Sequence, residues 1–208
     1  MKRSPLTSLI ATAALAGTVL ILSNPARAAE ENKDKTVTTT RTGTYATSKG
    51  GSGTTSSVTT RSNGNVKRQG SWTNAAGGTG TFQSQRTWDK ANGTATFGGS
   101  ATRPSGATTS WQGTAVRNGP GSVSSAGTIT KPNGTKDTFT STDTKVAPGS
   151  WDRNTVITTA NGKQIDRSVD TTVAGGKGTR TVTTTLANGQ VVTRQDNFNQ
   201  TTTVTPNN

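Results

Sequence analysis

The chain has 208 residues, no Cys and no His, 23 Lys and Arg against 10 Asp and Glu, a formal net charge of +13, and only 26% hydrophobic residues. That apolar share lies well below the usual ~45–50%, which excludes a thick conventional core. The missing residue types exclude disulfides, His-based triads, thiol nucleophiles and thiolate or imidazole metal sites.

At the N-terminus, Lys2-Arg3 precedes an apolar run from Leu6 to Leu22, the helix-ending cluster Ser23-Asn24-Pro25, and Ala26-Arg27-Ala28. A short positive region, an apolar stretch and a small-x-small cleavage site together predict a secretory signal peptide over 1–28. The run is shorter than the ~20 apolar residues of a membrane anchor. No Cys follows it to carry a lipid, and no second apolar stretch follows, so the mature chain is expected to have no membrane span. The expected location is the periplasm, the cell surface or the extracellular space. A polar tail over 29–35 leads into a repeat domain over 36–205, with 206–208 as a terminal tail.

Thr is abundant in that domain, Pro is sparse and charge is only 16%. Thr favours strands, and this composition is unlike that of a disordered tail. Turn signals recur about every 14 residues, among them six Asn-Gly pairs from Asn63-Gly64 to Asn188-Gly189. Asn-Gly between β-rich runs is the strongest short hairpin signal, since both residues tolerate positive φ. The runs between turns alternate with period two: Ile165, Val169 and Val173 share one face, and Trp151, Thr155 and Ile157 share another.

The spacing predicts twelve strands near 36–47, 54–62, 65–73, 80–90, 94–103, 107–117, 122–131, 135–146, 151–160, 163–173, 179–187 and 190–205. The fold class is all-β, a Thr/Gly-rich antiparallel meander, either open or rolled. A β-solenoid and a partly disordered chain are the alternatives. A lipid-facing barrel is disfavoured, because it needs an outward apolar band and aromatic girdles.

Ala160-Asn161-Gly162-Lys163-Gln164-Ile165-Asp166-Arg167 and the stretch from Ala187 to Asp196 resemble the YD repeats of Rhs-type bacterial surface proteins. Both centre on an Asn-Gly turn followed by an Arg and a polar strand. The chain departs from those repeats in lacking their Tyr-Asp pair.

Little catalytic equipment remains. Asp137 and Asp143 share a strand face but lie too far apart for a close carboxylate pair. Asp166 and Asp170 share another face, with Arg167 on the opposite one. The stretch Gly175 to Thr179 lacks the spacing and the following helix of a phosphate loop. The Asp residues are not periodic, as calcium repeats require. Neither an enzyme nor a cofactor or metal is expected.

Three surface properties remain to carry function. Basic residues are spread over most strands, so Arg41, Lys67, Arg68, Arg86, Arg103, Arg117, Arg153, Arg167, Arg180 and Arg194 are candidate contacts to a polyanion. Acidic polysaccharide, lipopolysaccharide and matrix DNA are the candidate partners. Trp72, Trp88, Trp111 and Trp151 either stack on sugar as in a carbohydrate-binding module or form the thin core. Thr rows such as Thr38, Thr40, Thr42 and Thr44 raise an ice-binding alternative. The leading expectation is a non-enzymatic structural or adhesive protein of the envelope or extracellular matrix. It would bind acidic polymers weakly and could self-associate through edge strands.

Overall fold

The computed structural model describes residues 35–207. The predicted signal peptide and nearly all of the polar tail lie outside the described residues.

Twelve antiparallel strands follow one another in the order of the chain. They are β1 (Lys35–Thr47), β2 (Ser52–Ser62), β3 (Asn65–Asn74), β4 (Thr79–Asp89), β5 (Thr94–Thr102) and β6 (Thr108–Gly119). The second half comprises β7 (Ser122–Thr130), β8 (Lys136–Ala147), β9 (Ser150–Thr158), β10 (Gln164–Ala174), β11 (Lys177–Thr185) and β12 (Val191–Pro206). Each lies within two residues of its predicted span. The meander is therefore the architecture, and the solenoid alternative is set aside: every connection is a hairpin turn to the adjacent strand.

The sheet is rolled and closed. β1 pairs with β12 from Lys35↔Pro206 to Thr47↔Arg194. Closure removes the two edges of an open meander. The expected self-association through edge strands therefore has no edge to use, which corrects that expectation.

The two ends of the barrel use different turns. At one end Gly50, Gly77, Gly106, Gly134, Gly162 and Gly189 all have φ near 80°. Each donates its N–H to the carbonyl three residues earlier, as Gly106 does to Arg103 at 2.9 Å. At the other end most turns are tighter, such as Asn63-Gly64 with φ of 49° and 78°, the signature of a type I′ hairpin; the β4–β5 turn keeps four residues. Their glycine carbonyls accept from the next hairpin: Gly64 from the Trp88 N–H at 3.1 Å, Gly93 from Arg117 at 3.0 Å and Gly149 from Val173 at 2.8 Å. The structural repeat is thus one hairpin, and the 14-residue spacing is half of it.

Side chains alternate across the wall. β8 shows this most cleanly: Asp137, Phe139, Ser141 and Asp143 are buried, while Lys136, Thr138, Thr140 and Thr142 are exposed. The inward apolar residues gather on one side of the barrel, where Phe82, Phe97, Trp111, Val123, Ile129, Phe139 and Ile157 pack with Trp72, Trp88 and Ile165 alongside.

Inward glycines make this thin core close-packed. Gly70 pairs with Phe82, Gly80 with Trp72, Gly99 with Trp111, Gly113 with Phe97, Gly127 with Phe139, and Gly43 and Gly178 both with Phe198. Except at Gly43, where an added Cβ would meet the Asn197 carbonyl and the Phe198 Cα and Cβ, each ring occupies the space that its partner's Cβ would need. This cross-strand shielding of glycine by an aromatic ring lets few large residues cover much backbone.

Candidate functional site

Two regions concentrate chemistry, one on each face of the wall. The first is a groove of about 930 Å³ on the outer face, running across β2 to β8. Strand register builds it as two transverse rows. One row passes through Val58, Gln69, Gln83, Ser100, Ser110, Thr130 and Lys136. The other passes through Thr60, Lys67, Gln85, Gly98, Gln112 and Thr128.

The floor between the rows is backbone at Arg68, Ser84, Gly99 and Trp111, whose side chains turn inward. Gly99 has no side chain to hold the wall away from the Trp111 ring, and the outer surface is hollow there. Lys67 and Lys136 are both exposed, on β3 and β8. Five strand spacings of ~4.8 Å separate those strands, about 24 Å measured along the wall.

The second region is the barrel interior. Every Arg among the described residues occupies an inward position: Arg41, Arg61, Arg68, Arg86, Arg103, Arg117, Arg153, Arg167, Arg180 and Arg194. Arg117 reaches solvent at a barrel mouth, while Arg86, Arg153 and Arg167 are fully buried. Lys residues instead lie on the outer wall, in turns or at strand ends. Of the ten residues expected to touch a polyanion, only Lys67 faces outward. The dispersed basic surface is corrected to a basic interior.

Three inward carboxylates partly offset these cations. Asp196 bridges two arginines, with Arg180 Nη2 and Arg194 Nη2 each 2.6 Å from its oxygens. Asp143 takes Arg153 Nε at 2.5 Å. Asp137, near the turn, takes Lys131 Nζ at 2.8 Å and the Ala160 N–H at 3.0 Å. Asp137 and Asp143 thus each answer a separate cation, and Asp166 and Asp170 are exposed on the outer wall.

Several guanidiniums stack on the rings that shield glycines. Arg41 lies 4.7 Å over Phe198, Arg68 4.9 Å over Phe82 and Arg194 4.2 Å over Tyr45. The local sequence explains the second: in Arg68-Gln69-Gly70 the glycine admits the Phe82 ring, and the Arg two positions away on the same face meets that ring's π surface. The Phe198 ring under Arg41 is admitted by Gly178 on β11.

Burial and mutual repulsion hold these groups below their ordinary values. Burial first, then Arg180 and Arg61, lowers Arg41 to about 10. Burial likewise lowers Arg86 to about 10 against the pull of Asp143. Arg68 and Arg167 fall well below the usual guanidinium range, through burial and then through Arg180.

The four Trp do not form an exposed sugar platform. Trp111 is 4% exposed, and Trp72 and Trp88 pack against the core from inside. Trp151 is half-buried on the inward face of β9, in alternation with Arg153 and Thr155. Of the two roles open to these rings, the thin-core one fits Trp72, Trp88 and Trp111, while Trp151 lies half-buried outside the cluster. The Thr rows do face outward, with Thr36, Thr38 and Thr40 opposite Thr205, Thr203 and Thr201. Asn197, Asn199 and Lys177 interrupt that ladder toward β11.

The inward Arg set was missed because charge was read as exposure. The signal was in the alternation: Ile165, Arg167 and Val169 share one parity, as do Arg180, Val182 and Thr184. A comparison with known protein families and with curated proteins finds no match for this chain, so the reading of its function rests on its own residues.

Proposed function

We propose that the chain is exported and serves, without catalysis, as a binding protein of the cell envelope or extracellular matrix that lays an acidic polysaccharide along its outer groove. The observation that carries this is the pair of transverse rows, rich in amide and hydroxyl groups, with Lys67 on β3 and Lys136 on β8. A Gln amide both donates and accepts, as a sugar hydroxyl does, so Gln69, Gln83, Gln85 and Gln112 suit a hydroxylated chain running across the strands. Each Lys answers one carboxylate or sulfate. Without an aromatic side chain facing outward in the groove, stacking adds nothing and binding is weak.

The test is a glycan array with heparin-like and nucleic-acid controls, run on the mature protein at low and high salt. Binding to acidic polysaccharide should weaken with salt as expected for about two neutralised charges. Joint replacement Lys67→Gln and Lys136→Gln should remove most of that dependence, and Gln85→Ala with Gln112→Ala should lower affinity at every salt concentration. Salt-resistant binding to a neutral glycan, lost on Trp72→Ala or Trp151→Ala in a folded protein, would overturn the proposal. So would a salt slope unchanged by the two Lys replacements, or no binding to any glycan.

A further inference from the structure

The barrel interior holds ten inward arginines but only Asp137, Asp143 and Asp196 as inward carboxylates among the described residues. Uncompensated charge inside a barrel wall is costly, because the wall replaces water with a medium that screens poorly. Beside the apolar cluster, under the contiguous strands β3, β2, β1, β12 and β11, a cavity of about 40 Å³ is lined by Arg41, Arg68, Arg180, Arg194 and Asp196 and by the Trp72, Phe82 and Phe198 rings.

Asp196 forms ion pairs with Arg180 and Arg194. Arg41 donates Nε to Gln200 at 2.8 Å, and Arg68 donates Nη2 to Ser57 at 3.2 Å. Neither meets a carboxylate, and Arg41 keeps both terminal nitrogens for another acceptor. One strand from Arg180, Arg167 is 3% exposed, and its Nε and Nη2 have no hydrogen-bond partner. The cavity is thus walled by guanidiniums, and further along the same interior Arg167, which does not line it, is a buried guanidinium with unmet donors.

We propose that this cavity is a site for one free tetrahedral oxyanion of the phosphate or sulfate type, held by Arg41 and Arg68 together with Arg180. The size is suitable: a water needs ~10–15 Å³ of such volume, so the cavity takes a few oxygen-sized atoms and not a polymer segment. The chemistry also suits an oxyanion better than a halide, since the planar guanidinium fork matches pairs of oxygens. Arg68 on β3 and Arg180 on β11 stand four strands apart on the curved wall and so approach from different directions, as a tetrahedral ligand requires. Ring stacking on Phe198 and Phe82 holds the Arg41 and Arg68 planes in place, so little side-chain order is lost on binding. The lowered proton affinity of Arg41, Arg68 and Arg167 agrees with an interior poised to accept negative charge. The site is independent of the outer groove.

The experiment uses the mature chain, dialysed free of phosphate and sulfate. Inorganic phosphate, sulfate and chloride are each titrated at matched ionic strength. Heat of binding and the thermal unfolding midpoint are recorded. The expected result is saturable binding of one phosphate or sulfate per chain, with a midpoint that rises logarithmically above the dissociation constant. Chloride should give at most a weak, non-saturating effect. Arg68→Gln should weaken oxyanion binding at least tenfold, and Arg68→Lys, which keeps the charge but loses the fork, should weaken it as well. Equal effects of all three anions at matched ionic strength, or binding by Arg68→Lys as tight as wild type, would overturn the proposal. Should Arg68→Gln fail to fold, the wild-type titration and Arg68→Lys still decide.

Discussion

Trp111 lies across the backbone of Gly99, its direct cross-strand partner, and fills the place where a side chain on Gly99 would begin. The neighbouring Gly98 faces the opposite way, into the outer groove, where an added Cβ would meet only Trp111 O at 3.3 Å and Gln112 Cβ at 3.9 Å. Two adjacent glycines thus serve different faces of one wall. Gly99→Ala forces a Cβ into both the indole ring and the Gln83 carbonyl, and overpacking of this kind costs ~1–3 kcal/mol. Gly98→Ala should cost less than about 1 kcal/mol, because its surroundings can yield. Denaturant midpoints of the two variants check the contrast; equal losses would mean that the faces are wrongly assigned.

Asp196 forms ion pairs with two half-buried arginines, Arg180 and Arg194. Removing one partner of a buried ion pair strands the others and typically costs ~3–5 kcal/mol. Asp196→Asn should therefore destabilise strongly, while Asp170→Asn on the exposed outer wall should change stability by less than about 0.5 kcal/mol. Urea unfolding of both variants measures the difference.

The lowered Arg41 value fixes the sign of a pH effect. Folded Arg41 releases its proton near 10, whereas in the unfolded chain it holds it to the higher value ordinary for a guanidinium. Between those values the unfolded state binds more protons, so this residue's contribution to stability rises with pH there and is a constant penalty below. Wild type should therefore gain on Arg41→Gln as pH moves from about 9 to about 11. Urea midpoints of the two proteins, measured in parallel without phosphate or sulfate, read this directly. A difference that stays flat across the range would contradict the buried, mutually repelling arrangement.

Much of the fold was legible because its signals are local. Asn63-Gly64 and Asn188-Gly189 announce turns by their own φ preferences, and the alternation of Ile165, Val169 and Val173 announces a two-faced strand. Closure was not legible, because Lys35 and Pro206 meet only when all intervening strands have curled. The hairpin as the true repeat was also hidden: the two turn types differ in length and hydrogen bonding, whereas composition shows only glycine and asparagine. The site was misread for a different reason. Arg is ordinarily an exposed residue, so Arg68 and Arg180 were assigned to solvent although each shares its strand parity with core residues, Arg68 with Trp72 and Arg180 with Val182. The groove was invisible for want of register, since Gln69, Gln83 and Gln112 become neighbours only through pairing across β3 to β6.

The separation of arginines inside from lysines outside underlies both the groove and the oxyanion site, and residue-resolved chemical labelling tests it directly. The native mature chain is treated in parallel with a guanidine-specific dicarbonyl and with an amine-specific acylating reagent, and modification at each residue is followed by mass spectrometry. Lys67, Lys136 and the mouth residue Arg117 should react readily, while Arg86, Arg153 and Arg167 should react at least tenfold more slowly than Arg117 and catch up only when the chain is unfolded. Modification of Arg167 at the rate of Arg117 in the folded protein would place the arginines on the surface and contradict the account.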